Sequence, residues 1–376
     1  MPLALDANPI INDPFREPEK WWFFNRQTGQ VEQKEGRRPS GYYLRSRTTD
    51  AQLSLFEEAF EEMKLVNDLR ARVKEWREAG YPGVTSVTRR LLEHWNREDR
   101  ERRLFFCQRE AAETVILLVE APHELKQGLN IPPDAPDDPE SIRKGSRPLT
   151  RYALKMATGT GKTVVMAMLA SWSVINKVMN RQDARFSDAV LIIAPNLTVK
   201  ERLQVLYPYK EDNYYIKFDL VPASMMQALN QGKFFITNWH IFQPKDDSKS
   251  KSVQKRGMES DSALVKRTLK DLGSKKNILV INDEAHHAYR PNNEEINKLL
   301  KEGGLSAEER KELEEEIKEA TVWVSALDRI NSVKSINFCL DFSATPFYLK
   351  GSGYTEGIHS PGWSRISAWW TLLRAA

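Results

Sequence analysis

Cysteine is scarce in this chain of 376 residues, which contains only Cys107 and Cys339. The two are far apart and show no metal-ligand spacing, which argues against both a zinc site and a disulfide-stapled fold. No apolar run approaches the roughly 20 residues that cross a bilayer, and the amino-terminal residues lack the basic-then-apolar order of a signal peptide. We therefore expect a cytoplasmic protein with no membrane partner.

Net charge is also low, because 56 Lys and Arg residues against 52 Asp and Glu residues leave a formal charge of +4. This balance is compatible with a polyanionic partner but is far from that of a protein that coats nucleic acid. The fractions of hydrophobic residues (40%) and charged residues (29%) are ordinary for a globular protein. The length predicts about two domains.

Residues 1–144 are predicted to form an amino-terminal extension. Aromatic clusters interrupted by Gly and Pro in the first fifty residues predict an irregular or short-stranded cap. From Ser54 onward, apolar residues recur every three or four positions and predict one long helix that ends near Gly80. Two further helices, around residues 91–95 and 104–119, and a linker or exposed loop rich in Pro and Asp at residues 131–140 complete the extension.

The pattern then changes to short apolar runs that alternate with helical segments. The runs predicted to be strands are YALKM, AVLIIA, YIKFDLV, FFITNW, NILVIND and INFCLDFS. Such alternation is typical of a parallel sheet flanked by helices, and we assign residues 145–350 to this α/β domain, with the extension packed on its edge. Two charged stretches interrupt the domain, a predicted solvated loop at 244–256 and a predicted helix at 306–320, and neither charge run requires a function.

A phosphate-binding loop is predicted in MATGTGKT, which follows a predicted strand and opens a predicted helix. In that context backbone N–H groups and a helix amino terminus face the phosphates. Gly159 and Gly161 permit the tight turn, whereas Lys162 supplies positive charge to the β- and γ-phosphates and Thr163 offers its hydroxyl to Mg²⁺. The strict pattern has Gly where this chain has Met156, and a chance Gly-rich turn is the alternative. The predicted nucleotide-binding residues are Thr158, Gly159, Thr160, Gly161, Lys162 and Thr163.

An acidic pair is predicted at the carboxyl end of a buried strand in ILVINDEAHHAY, where ligands bind in open α/β sheets. Asp283 suits a Mg²⁺ ligand, and Glu284 suits the orientation and deprotonation of an attacking water. Metal binding by His286 and His287 is the alternative. We reject it because adjacent side chains diverge on regular secondary structure and no third ligand accompanies them. For His287, packing or capping explains the residue at least as well.

A third motif, DFSATPF, places Ser343 and Thr345 after another apolar strand and before a proline that ends it. The order ATGTGKT, DEAH and SATP resembles that of the superfamily 2 helicases and translocases of the DEAD/DEAH type. The spelling MATGTGKT, the doubled histidine in DEAHH, ITNWHIF and the opening DPFREPEKWWFF with GRRPSGYY resemble the ATPase (Res) subunits of type III restriction systems. The resemblance covers nearly the whole chain, most closely residues 104–347.

The resemblance implies a RecA-like P-loop domain that uses ATP and Mg²⁺ to translocate on or remodel double-stranded DNA, with a modification methyltransferase subunit as a further partner. It also implies that Gln108 recognises adenine, since an amide can pair both N6 and N7. An exposed helical glutamine is an equal alternative. The residues implied to contact nucleic acid are Pro195, Asn196, Thr237 and Asn238. Those implied to couple nucleotide state to strand movement are His286, Ser343 and Thr345.

The resemblance also implies a second RecA-like domain and a nuclease domain, neither of which we expect the 29 residues after Phe347 to encode. The last residues, ISAWWTLLRAA, have a back-translation that spells DFSLVDAIES in a shifted frame, so we hypothesise a frameshifted, truncated product. Two functions remain open at this point, an ATP-dependent helicase or translocase and a non-catalytic remnant that binds nucleotide or DNA without turnover. A P-loop kinase or GTPase is disfavoured because neither explains DEAHH together with SATP.

Overall fold

A parallel five-stranded sheet dominates the part of the chain that the computed structural model describes. The described residues are 10–25, 28–44, 59–131, 133–135, 143, 147–243, 259–290 and 306–344. The strands of the sheet are β5 (Arg151–Lys155), β6 (Ala189–Ala194), β7 (Lys233–Asn238), β8 (Ile278–Asp283) and β9 (Ile336–Ser343). They are arranged in the order β5-β9-β8-β6-β7, and every neighbouring pair is parallel.

Two small antiparallel sheets precede the parallel one. One pairs β1 (Lys20–Asn25) with β2 (Gln30–Glu35), and the other pairs β3 (Gly41–Leu44) with β4 (Ala59–Glu62). Short strands are thus present among the described residues of the first fifty, and the assignment of this region as a cap stays a prediction.

Helices precede the parallel sheet and alternate with its strands. Those that precede it are α1 (Lys64–Glu78), α2 (Ser86–Asn96), α3 (Phe106–Glu120) and α4 (His123–Lys126). Those that follow are α5 (Lys162–Met179), α6 (Leu197–Arg202), α7 (Tyr214–Lys217), α8 (Ala223–Leu229), α9 (Asp261–Thr268) and α10 (Ala307–Lys334). None of the helices in the described ranges combines the length and the apolar character needed to cross a bilayer.

The two faces of the sheet are covered by separate apolar cores. Strands β6 and β8 are buried at every residue, as expected for central parallel strands with helices on both faces. Along β6, Val190 and Ile192 face the core that contains α1, α2, α3 and α5. Leu191 and Ile193 face the opposite core, to which α9 and α10 contribute. The predicted α/β fold is therefore confirmed.

Helix α5 lies between the sheet and the amino-terminal helices, and its residues 164–176 are all buried. A helix that is apolar around its circumference is typical of such a position. The contact with the extension includes polar groups, because the indole Nε1 of Trp172 donates to the buried Glu120 carboxylate at 2.7 Å. The extension and the sheet thus share one core over the face of the sheet, and the domain boundary near residue 145 remains a prediction.

Most of the predicted elements are present. Five of the six predicted strands are confirmed, and α2, α3 and α10 confirm the helices predicted around 91–95, 104–119 and 306–320. The charged loop at 244–256 and the tail at 351–376 lie outside the described residues.

Two predicted elements are wrong. The run YIKFDLV is not a strand, because Asn213 caps α7 through its side chain, which accepts the N–H of Ile216 at 3.0 Å. Asp219, with φ of 48°, then turns the chain in the left-handed region. The long helix predicted from Ser54 begins only at Lys64, because residues 59–62 pair with β3 as strand β4.

The linker prediction is wrong at Asp134. This residue is buried and pairs with Leu149 in an isolated antiparallel bridge. Its carboxylate accepts from Arg151 at 2.9 Å, which anchors this residue in the domain interior.

Candidate functional site

Three predicted motifs, the glycine-rich loop, the acidic pair and the motif that contains Ser343, meet at the carboxyl edge of the sheet. Because the strands are parallel, their carboxyl ends lie along one edge, where ligands bind in open α/β folds. The glycine-rich loop follows β5, the acidic pair ends and follows β8, and Ser343 ends β9. Since β9 lies between β5 and β8, Ser343 lies between the loop and the acidic pair.

The glycine-rich loop is a compact turn that leads directly into α5. Gly159 and Gly161 have φ of 86° and 85°, a region that glycine adopts without a Cβ penalty. The hydroxyl of Thr160 donates to the Ala157 carbonyl at 2.7 Å and closes the turn. The helix begins at Lys162, so its amino terminus and positive dipole end border the loop.

Met156 takes the position at which the strict loop pattern has glycine. Its side chain is fully buried, and its backbone N–H donates to the Ser343 carbonyl at 2.9 Å. This position therefore extends the pairing of β5 with β9 and fills the core ahead of the turn.

Gln108 on α3 is a direct neighbour of the loop. Its amide Nε2 donates to the Thr160 carbonyl at 2.9 Å, and its Oε1 accepts the N–H of Phe105 at 3.0 Å. A Cβ built on Gly161 would lie 2.3 Å from Nε2, so the glycine permits this close approach. The side chain is buried, and the alternative of an exposed glutamine is wrong. Recognition of adenine stays a prediction.

The acidic pair and Lys162 form one cluster. The ammonium group of Lys162 contacts Oε1 of Glu284 across the site, while Oδ1 of Asp283 accepts the N–H of Glu284 at 3.0 Å. Burial raises the pKa of Asp283 to about 6, an effect that Lys162 opposes and the neighbouring Glu284 reinforces. The cluster can hold a divalent cation against phosphate once Asp283 is ionised.

Glu284 has a strained backbone, with φ of 48° and ψ of 47°. The left-handed region costs a non-glycine residue about 1–2 kcal/mol. Such residues persist where the surrounding structure holds them, and they are concentrated at functional sites. The chain then continues as a 3-10 turn over Ala285–His287.

His286 joins the acidic pair to the end of β9. Its Nδ1 is 2.8 Å from Oγ of Ser343 and 3.5 Å from Oε2 of Glu284. Burial, with smaller contributions from His287 and Lys162, lowers the pKa of His286 to about 3. The imidazole is therefore neutral near pH 7. Thr345, the other residue predicted to couple to this turn, lies outside the described residues.

The side chains of the adjacent histidines do not diverge as predicted. Their ring centroids are 4.2 Å apart within the 3-10 turn. His287 Nδ1 lies 3.8 Å from Oε2 of Glu319 on α10. Within the described ranges, no group of three His, Cys, Asp or Glu residues has the arrangement of a metal site.

The residues predicted to contact nucleic acid divide into exposed and buried ones. Asn196 is exposed and caps α6, accepting the N–H of Val199 at 2.9 Å, and Pro195 beside it is half-buried. Thr237 and Asn238 are both buried at the end of β7. All four lie at the carboxyl edge, and their contact with nucleic acid stays a prediction.

A group of charged residues, three of them buried and two half-buried, was not predicted from the sequence. We call Asp134, Arg151, Arg290, Asp328 and Asp341 the buried ion-pair cluster. Arg151 donates to Asp341 at 2.8 Å, and the two residues lie on the neighbouring, largely buried strands β5 and β9. A charge inside such a strand was the available signal, because a buried charge requires a partner.

A family model described as the type III restriction enzyme, res subunit, matches residues 101–348. The matched range includes all five strands of the parallel sheet and every motif at its carboxyl edge. No curated protein matches the chain in a sequence comparison.

Proposed function

This chain belongs to the family of type III restriction enzyme res subunits, and we propose that its carboxyl-edge site binds ATP with Mg²⁺ and hydrolyses it to drive movement on double-stranded DNA. The family is one of ATP-dependent, helicase-like proteins that act on DNA. The observation that carries the proposal for this chain is the convergence of Lys162, Asp283 and Glu284 at the mouth of a glycine-rich loop.

Each group in this cluster has a distinct chemical role in the proposal. Lys162 and the N–H groups of residues 158–163 bind the phosphates, while Thr163 and Asp283 hold Mg²⁺. Glu284 orients the attacking water and accepts its proton. Phosphoryl transfer depends mainly on positioning and charge neutralisation, both of which this arrangement supplies.

Gln108 recognises the adenine base in the proposal. An amide oxygen accepts two hydrogen bonds and an amide nitrogen donates two. The contacts with Phe105 and Thr160 use one of each, so one acceptor position and one hydrogen remain for the base. Through its hydrogen bond to the Thr160 carbonyl, the same side chain would then link binding of the base to the position of the phosphate loop.

In the proposal, residues at the end of β9 couple the nucleotide state to movement on DNA. The hydrogen bond between His286 and Ser343 connects the acidic pair to the strand that precedes Thr345. Pro195, Asn196, Thr237 and Asn238 contact one DNA strand. A modification methyltransferase subunit is the proposed protein partner.

A non-catalytic module that binds nucleotide or DNA is the second candidate. The described residues contain one RecA-like sheet, and an arginine finger contributed by another domain or subunit raises turnover by roughly 10³ to 10⁵. One sheet acting alone would therefore hydrolyse ATP slowly even with all of its own groups in place.

The test is ATP turnover by the purified chain with and without duplex DNA, together with equilibrium binding of Mg-ATP. Lys162→Ala removes the phosphate contact. Lys177→Ala is the matched control, because Lys177 lies in the last turn of the same helix and donates to the Asp183 carbonyl at 2.9 Å.

DNA-stimulated turnover that is lost in Lys162→Ala and kept in Lys177→Ala supports the motor. Mg-ATP binding without turnover favours the second candidate. If Lys162→Ala binds Mg-ATP as tightly as the unaltered chain does, the assignment of the site is wrong.

A further inference from the structure

Arg151 is the centre of the buried ion-pair cluster and contacts three separate segments. Its Nη1 donates to Asp134 at 2.9 Å, and its Nε donates to Asp341 on β9 at 2.8 Å. Its Nη2 donates to the backbone carbonyl of Ala288 at 2.7 Å. The side chain is 2% exposed, so each of these bonds forms away from water.

Arg290 extends the cluster to α10. It donates from Nη1 and Nη2 to the two carboxylate oxygens of Asp328, each at 2.8 Å. Its Nε donates to Asp134 at 2.7 Å. A bidentate pair of this kind fixes orientation as well as distance. Asp134 therefore accepts from both arginines and joins them.

The bonds of the two arginines converge on the turn that follows Glu284. Ala288 and Arg290 are two residues apart and lie four and six residues after Glu284, so the far end of the turn is fixed from two sides. Within the turn, the N–H of His287 donates to the Glu284 carbonyl at 3.1 Å. Glu284 itself is in the left-handed region, which requires support from its surroundings.

We propose that Arg151 and Arg290, joined through Asp134 and Asp328, are positioning residues that hold the Glu284 turn in its strained conformation and so fix its carboxylate for catalysis. The inference rests on the proposed function. It assigns a catalytic consequence to Asp134 and to α10, neither of which supplies a group that the proposed function assigns to the nucleotide.

A second arginine ion pair attaches α10 to α9 and serves for comparison. Arg329, the residue after Asp328, donates to Asp261 on α9 at 2.7 Å. Arg329 also donates to the backbone carbonyl of Glu259, so its bonds join α10 to α9 and to a residue that precedes α9. Arg329→Gln therefore removes an arginine ion pair from the same part of α10 and serves as the control for Arg290→Gln.

The first measurement is steady-state turnover with equilibrium binding of Mg-ATP. Arg290→Gln is expected to lower kcat by about tenfold, corresponding to about 1.4 kcal/mol of transition-state stabilisation. The Kd for Mg-ATP should stay within about twofold, because the phosphate loop is intact. Arg290→Lys keeps the charge but lacks the bidentate fork, so an intermediate kcat is expected. Arg329→Gln should match the unaltered chain.

The second measurement is independent of turnover. Hydrogen–deuterium exchange of the peptide over residues 283–290 should become about tenfold faster in Arg290→Gln and should be unchanged in Arg329→Gln, because amide protection reports local opening. If Arg290→Gln does not fold, Asp328→Asn tests the contact between Arg290 and Asp328 by removing only the charge of the Asp328 carboxylate.

Equal exchange in the Arg290 and Arg329 variants, or an unchanged kcat in Arg290→Gln, overturns the inference. A chain that shows no turnover with any duplex contradicts the proposed motor instead. The exchange measurement still decides in that case whether the cluster holds the turn.

Discussion

Gly161 is a position at which substitution by alanine should have a specific effect on stability. The residue ends the phosphate loop with φ of 85°, and a Cβ there would lie 2.3 Å from Nε2 of Gln108. Gly159 has nearly the same φ, 86°, but an added Cβ would meet nothing within 4 Å. Alanine at either position therefore has the same kind of backbone strain. Only at Gly161 does its Cβ also collide with Gln108.

The difference between the two substitutions is set by the Gln108 amide. The left-handed conformation costs alanine about 1–2 kcal/mol at either position. At Gly161 the amide must also move away, which breaks its bonds to Thr160 and Phe105. Each bond contributes about 1 kcal/mol, so Gly161→Ala should cost about 2 kcal/mol more than Gly159→Ala.

The assay is urea unfolding of both variants, alone and in a Gln108→Ala background. Removal of the amide removes the collision, so Gly161→Ala should then cost no more than Gly159→Ala does. This double-mutant cycle isolates the contact between the loop and α3. Equal costs for the two glycine substitutions in the unaltered background would refute the reasoning.

Three further predictions concern the same edge of the sheet. Burial raises the pKa of Asp283 from 3.8 to about 6, so between these values the folded chain holds a proton that the unfolded chain has released. The free energy of unfolding should therefore fall by up to about 3 kcal/mol as the pH rises through this window, and Asp283→Asn should remove that slope in urea titrations. Ser343→Ala breaks the hydrogen bond between the buried Ser343 hydroxyl and the half-buried His286 and should lower the free energy of unfolding by about 1–3 kcal/mol; a change below the error of the urea assay would contradict this. Met156→Ala should cost about 2–5 kcal/mol because the side chain is fully buried, whereas Met179→Ala, at a site 67% exposed, should change thermal stability little.

The sheet and its motif-bearing edge were predictable because their signals are local. Buried strands such as AVLIIA and NILVIND are continuous apolar runs, and the glycines, lysine and acidic pair directly follow strands. The run YIKFDLV failed because a short apolar run does not distinguish a strand from a helix, and the cap by Asn213 decides for α7. Strand β4 was missed because the apolar spacing from Ser54 onward suggested a helix.

The contacts that complete the site were beyond the sequence because they join distant segments. Gln108 has the pattern of an ordinary helical residue, and only the packing of α3 beside the loop brings it to Thr160, 52 positions away. In the buried ion-pair cluster, Asp134 and Arg290 are separated by 156 positions. The charges at Arg151 and Asp341 indicated that partners were required, but not which ones.

If the proposed roles hold, the contact between Lys162 and Glu284 connects nucleotide binding with activation of the site. The ammonium group that the proposal assigns to the phosphates touches the carboxylate that the proposal assigns to the attacking water. In the proposal, the Glu284 carboxylate becomes available to the attacking water once Lys162 turns from it to the phosphates. The backbone of Glu284 must keep its conformation during this exchange of partners. An anchor at the far end of its turn, of the kind that Arg151 and Arg290 form, is what such an exchange requires.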